Sequence, residues 1–138
     1  MSDGDVVLQS IRAWNAGDQD AYVACFAEDC ELVTPTSIGK GHEGVVAFWK
    51  ENMDAFPGCQ VASPRHLLSE GGVVMVETAI DGVNTGALRT PDGQEIPPTG
   101  RSISVPMAGV HEVREGRIAS VRFYWDVFGG LLVALGLA

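Results

Sequence analysis

Residues 101–126 read RSISVPMAGVHEVREGRIASVRFYWD, and this stretch decides the fold. Two runs rich in Val, Ile and aromatic residues, 101–114 and 117–125, flank Glu115-Gly116. Such runs separated by two turn-forming residues read as an antiparallel hairpin. With Glu115-Gly116 as the turn, Arg114 is expected opposite Arg117, Val113 opposite Ile118, His111 opposite Ser120, Met107 opposite Tyr124 and Val105 opposite Asp126. Side chains alternate along a strand. Ile103, Val105, Met107, His111, Arg122, Tyr124 and Asp126 are therefore expected on one face, and Val110, Val121, Phe123 and Trp125 on the other. The first face mixes apolar groups with a carboxylate, a phenol, a guanidinium and an imidazole, the make-up of a small-molecule site. The second is apolar enough to need cover.

The same β reading extends upstream. Val73 to Leu88 reads as one long strand or a bulged pair, with bends at Gly82 and Gly86. Glu70-Gly71-Gly72 joins it to a strand over Gln60 to Leu68, and Pro91-Asp92-Gly93 and Pro97-Pro98-Thr99-Gly100 break the chain before the hairpin. Helices gather at the start. Val7, Ile11 and Trp14 recur at helical spacing within Val6 to Ala16, and Gly17 follows as a stop. Asp18 or Asp20 caps a short helix over Ala21 to Phe26, and a strand over Cys30 to Thr34 ends at Pro35. A third helix over Val45 to Ala55 carries Phe48, Trp49 and Met53 on one side. Helices first and strands last make an α+β domain, with a curved antiparallel sheet and three N-terminal helices enclosing a pocket as a cone.

Composition bounds the function. The chain has 138 residues, the size of a single domain spanning 1–138, and 46% hydrophobic against 20% charged residues is an ordinary globular balance. A net charge of −9 disfavours phosphate backbones and anionic membranes, so neither nucleic acid nor membrane is expected as a partner. Three Cys with no CxxC pair and an acidic start predict free thiols in the cytoplasm. Three His without ligand spacing predict no metal. The apolar tail 127–138 is too short to span a membrane and reads as a buried tail or a dimer contact. A homodimer covering Val121, Phe123 and Trp125 is expected.

NAGDQDAYVACFAEDCELVTP (15–35) followed by GKGHEGVVAFW (39–49) resembles the opening of the nuclear transport factor 2-like superfamily. PPTGRSISVPMAGVHEVREGRIASVRFYWD (97–126), followed by LLVALGL (131–137), is similar to its SnoaL-like polyketide (ester) cyclase branch. That resemblance implies an enzyme without metal or cofactor that closes a ring, or isomerises, by proton transfer on a small apolar carbonyl compound. It implies a catalytic acid/base at Asp126, in FYWDVFG. Within DGVNTGAL (81–88), Asn84 stands where many relatives carry a His, and an Asn can hold a carbonyl without shuttling protons.

The residue types fit that chemistry. A desolvated carboxylate gains basicity, so Asp126 in an apolar hollow suits carbon-bound proton removal; its competing role is a cap or ion-paired group at a strand end. His111 titrates near neutrality and suits a proton relay or donation to a substrate oxygen. Arg122 and Tyr124 suit the oxygen on which charge develops. Trp14, Trp49, Met53 and Met107 supply apolar contact, core and pocket wall being partly the same in a cone. The competing functions are a non-catalytic module that binds a small hydrophobic ligand, and a cofactor-free hydroxylase or hydrolase.

Overall fold

The computed structural model describes all 138 residues. Ser2 opens helix α1 (Asp3–Asn15) with a reciprocal cap: its hydroxyl accepts from the Asp5 N–H, and the Asp5 carboxylate accepts from the Ser2 N–H. Asp18 caps helix α2 (Gln19–Ala24) by accepting from the Ala21 N–H. This cap starts the helix two residues earlier than expected and ends it before Phe26, which opens strand β1 (Phe26–Val33). Strand β2 (Ile38–Lys40) turns back on β1 and leads into helix α3 (Gly41–Ala55). His42 is the donor to the Phe26 carbonyl at 2.8 Å and fastens that junction.

The expected strand over Gln60 to Leu68 is two strands, β3 (Gln60–Val61) and β4 (His66–Glu70), interrupted around Pro64, which lacks the N–H to continue a ladder. Both pair with β5 (Val73–Val83), at opposite ends of it. A small hairpin of β6 (Leu88–Arg89) and β7 (Glu95–Ile96) stands apart from the main sheet. Strands β8 (Ser102–Arg114) and β9 (Arg117–Tyr124) complete it, and a π-helical turn (Val127–Leu132) follows. The sheet order is β2-β1-β9-β8-β5-β3, with β4 also on β5, and β1 runs parallel to β9. The fold is the expected α+β arrangement: a curved, unclosed sheet with the helices against its concave side.

The hairpin corrects the expected register. Glu115 (φ 54°) and Gly116 (φ 74°) form the two-residue turn, and Arg114 and Val113 face Arg117 and Ile118. Past that point β9 carries one extra residue, Ala119, so Glu112 faces Ser120, His111 faces Val121 and Gly109 faces Phe123. On the other flank, Phe26 faces Ile118 and Glu31 faces Ser120, so β1 is irregular at the same level. A bulge of one residue exchanges the faces of everything beyond it. Val121, Phe123 and Trp125 therefore join Ile103, Val105, Met107 and His111 inside, while Arg122, Tyr124 and Asp126 leave that face. Burial agrees: Val121 and Ile118 are fully buried and Tyr124 is exposed.

The core lies between helices and sheet. Trp14 meets Trp49 and Tyr22 with ring centres 4.7 and 5.1 Å apart, and Phe48 stacks on Phe123 at 5.4 Å. Fully buried side chains such as Phe26, Leu32 and Ile118 each stabilise the fold by roughly 1.5–3 kcal/mol. Cys25, Cys30 and Cys59 are buried free thiols. No helix is long and apolar enough to cross a membrane.

Candidate functional site

The concave side of the sheet and the helices leave a cavity of about 90 Å³. Its walls come from α1 (Ser10, Trp14), α2 (Tyr22), α3 (Phe48, Asn52), the inward residues of β5 and β8, and Phe123, Trp125 and Leu131 near the C-terminal end. Of its 19 wall residues 14 are hydrophobic, so the few polar atoms decide what it can do.

Most of those polar atoms are committed to the protein. The Ser10 hydroxyl donates to the Val7 carbonyl, the Thr78 hydroxyl to Ala62, and the Trp14 indole N–H to Cys59. Four are not. The Asn52 Oδ1 and the Trp125 indole N–H make no hydrogen bond within the protein, nor do the titratable pair, the Tyr22 hydroxyl and His111 Nε2. Since no fully enclosed side-chain N or O lacks a partner, both open onto the cavity.

His111 is held by its cross-strand neighbour. Its Nδ1 lies 3.2 Å from the Val74 carbonyl, which can only accept, so Nδ1 carries the proton and a neutral ring presents Nε2 as an acceptor. Burial lowers its pKa to about 4, against the weaker pull of the Val74 and Gly109 backbone. The ring is neutral at pH 7. Tyr22 is shifted the other way: burial raises its phenol well above the ordinary value, so it stays a donor. Gly109 makes room for this arrangement. A Cβ there would sit 2.8 Å from His111 Cε1 and 3.2 Å from the Phe123 ring.

A second hollow of about 330 Å³ adjoins the first. It is bounded by α3, the β1–β2 turn, the β6–β7 hairpin and the π-helical turn, and it shares Phe48, Asn52, Phe56, Trp125 and Leu131 with the inner cavity.

The residues predicted from sequence scatter. Trp14, Met107 and His111 line the inner cavity. Trp49 packs against Trp14 and Tyr22, and Met53 packs on the core; neither reaches the cavity. Asn84 is buried and fully engaged, its Nδ2 donating to Ala55 and Gly86 carbonyls and its Oδ1 accepting from the Thr99 N–H and hydroxyl. It locks the loop before β8 to the end of α3 rather than meeting a ligand. Gly86 is part of that lock, because a Cβ there would overlap the Asp54 carbonyl.

Arg122 and Tyr124 lie on the outer face, opposite Val110 and Ala108. Asp126 is exposed, outside both hollows, and caps the π-helical turn by accepting from the Gly129 N–H at 2.7 Å. The expectation of a carboxylate sealed in an apolar hollow is thus corrected, the physical reason being the bulge at Ala119. Sequence reading missed Tyr22, Asn52, Gly109, Phe123 and Trp125 as wall residues. A glycine inside a long strand, as at 109, is the signal that could have found one of them.

Residues 7–121 match the family model described as the SnoaL-like domain. Solved structures share the fold. A proposed SnoaL-like polyketide cyclase from Jannaschia sp. CCS1 superposes with a TM-score of 0.84 at 20% identity, over 99% of this chain and 92% of that one. IdmH, a proposed polyketide cyclase from Streptomyces antibioticus, gives 0.82 at 21% over 99% of each chain. AclR, a proposed hydroxylase from Streptomyces galilaeus, gives 0.82 at 18% over 99% of this chain and 85% of its own. No curated protein matches the sequence.

Proposed function

The chain belongs to the SnoaL-like domain family, and from that premise we propose that it is a cofactor-independent acid–base enzyme acting on a small apolar carbonyl compound. The observation that carries this reading is the pair of uncommitted titratable groups in a largely apolar cavity, the Tyr22 hydroxyl and His111 Nε2. The substrate carbonyl oxygen accepts from Tyr22. Nε2 takes the proton from the adjacent carbon, and the electrons of that C–H bond become the enolate. Ring closure or isomerisation follows when the enolate carbon attacks a second carbonyl or is reprotonated. Burial weakens His111 as a base, so most of the stabilisation falls to the phenol, which donates where negative charge develops. Asp126 takes no part as a base; it holds the turn that carries Leu131 to the cavity wall.

Proton exchange tests this without knowledge of the natural substrate. The protein should speed deuterium incorporation alpha to the carbonyl of cyclohexanone in D₂O, followed by proton NMR. His111→Gln should slow that exchange by about 10²-fold or more, and Tyr22→Phe by about 10²–10³-fold, with ketone binding retained. Exchange no faster than in buffer, or unaltered by His111→Gln, contradicts the reading. A second reading, a non-catalytic carrier of small apolar ligands, is favoured by the inner cavity's having no carboxylate in its wall. Binding of the ketone without exchange would select it.

The same proposal includes a homodimer in the cytoplasm, in keeping with three buried free thiols. Its interface is the outer sheet face rather than the face of Phe123 and Trp125. There Leu68, Met75, Val110, Arg122, Val33 and Ile38 form one cross-strand row, broken in its apolar character only by Arg122. Leu68 and Ile38 are each 69% exposed and Met75 50%, an apolar surface of the kind that associates. A monomer in sedimentation at micromolar concentration contradicts it.

A further inference from the structure

The two hollows differ in chemistry although they share a wall. The inner one is apolar. The outer one is lined by Glu51 of α3, whose carboxylate has neither a hydrogen bond nor an ion pair. The other charged group on that wall, Arg89, is already bound to Glu95 at 2.8 Å. The Thr34 and Ser37 hydroxyls hold each other at 2.9 Å. Asn52, at the passage between the hollows, donates its Nδ2 to the Phe48 carbonyl and leaves Oδ1 free. What remains uncommitted in the outer hollow and its passage is a carboxylate, an amide oxygen and the Trp125 indole N–H, and the carboxylate is the one free charge among them.

Glu51 is exposed at the rim of the hollow, and partial shielding there raises its carboxyl above the ordinary value. The chain's net charge of −9 favours the approach of cations. The inner cavity, at about 90 Å³, is smaller than one of about 150 Å³ that holds benzene. Even one phenyl ring that carries a chain must therefore extend into the outer hollow, past Asn52.

We propose that the outer hollow is a second subsite, for a protonated amine or, more weakly, a hydroxyl attached to the apolar body held in the inner cavity, with Glu51 as its acceptor. This rests on the reading of the inner cavity as a ligand site. It adds polarity and direction to the ligand: an apolar end toward His111 and a hydrogen-bond donor toward Glu51.

The test uses four probes that share a phenyl ring and a three-carbon chain: 3-phenylpropylamine, 3-phenylpropan-1-ol, propylbenzene and 3-phenylpropanoate. Affinities are read by NMR titration of the full chain at pH 7.5 and low salt. The expected order is amine, alcohol, propylbenzene, carboxylate, from tightest to weakest. Glu51→Gln should cut amine affinity about ten- to hundredfold and leave propylbenzene unchanged. Gln is as good a helix former as Glu, so α3 is preserved, and unaltered propylbenzene binding reports an intact inner cavity. Equal amine affinity in Glu51→Gln, or a carboxylate that binds as well as the amine, overturns the subsite alone. Failure of all four probes to bind the wild type overturns the inner-cavity reading and the subsite with it.

Discussion

Near its turn the β8–β9 hairpin pairs Arg114 with Arg117 and Val113 with Ile118, as a two-residue turn requires; past Ala119 the same strands pair His111 with Val121 and Gly109 with Phe123. The two ends of one hairpin thus obey different constraints. Turn chemistry fixes the register only as far as the ladder runs unbroken. Beyond the bulge, burial decides, because the sheet must point its apolar residues at the helices. The cavity, its imidazole and the position of Asp126 all lie on the far side of that bulge.

The largest expected effect is therefore at Ala119. An alanine inserted between Glu112 and Val113 would give Ala119 a partner and remove the bulge, so Val113 and Ile118 could no longer share a face with His111 and Val121. We expect a loss of more than about 5 kcal/mol, enough to leave the chain unfolded, measured by circular dichroism and urea titration. A folded insertion variant of native stability would contradict this.

A smaller effect separates His111 from the surface residues beside it. Its folded pKa, about 4, lies below the 6.5 of an unperturbed imidazole. The unfolded chain therefore binds the extra proton first, and stability falls as pH drops from about 6.5 toward 4 and levels off below. The difference amounts to roughly 3 kcal/mol. His111→Gln should lack this component, so the wild-type and variant curves of stability against pH should converge toward acid. Parallel curves across that window would mean that the imidazole is not sealed inside.

The smallest effect is at Asp126. Asp126→Ala should cost about 1 kcal/mol through loss of the cap, whereas Asp126→Asn keeps an acceptor for the Gly129 N–H and should leave both stability and ketone exchange close to wild type. Abolished exchange in Asp126→Asn would return that carboxylate to the role of base.

Much of the fold was legible because it follows from local signals: helical spacing in Val7, Ile11 and Trp14, the glycines between β4 and β5, and Glu115-Gly116. The site was less so. The bulge left a trace, since the apolar inward residues step from Ile118 to Val121 and then alternate through Phe123 and Trp125. A step of three inside a period of two marks an inserted residue, but counting outward from the turn overrides it. Asn84 carried no such trace. Its bonds reach Ala55 and Thr99, residues distant along the chain, and no pattern within 81–88 announces them. Tyr22 and Glu51 were hidden for a related reason: their weight comes from partners they lack, and only the assembled neighbours reveal that.

The proposed chemistry depends on which face of the sheet meets the ligand. Intermolecular NOEs between the ring protons of bound propylbenzene and methyl-labelled protein measure it directly. The predicted result is contact with Val76, Ile103, Val105 and Met107, on the side of His111 and Phe123. Contact instead with Leu68, Met75 and Val110, on the side of Arg122 and Tyr124, would contradict it.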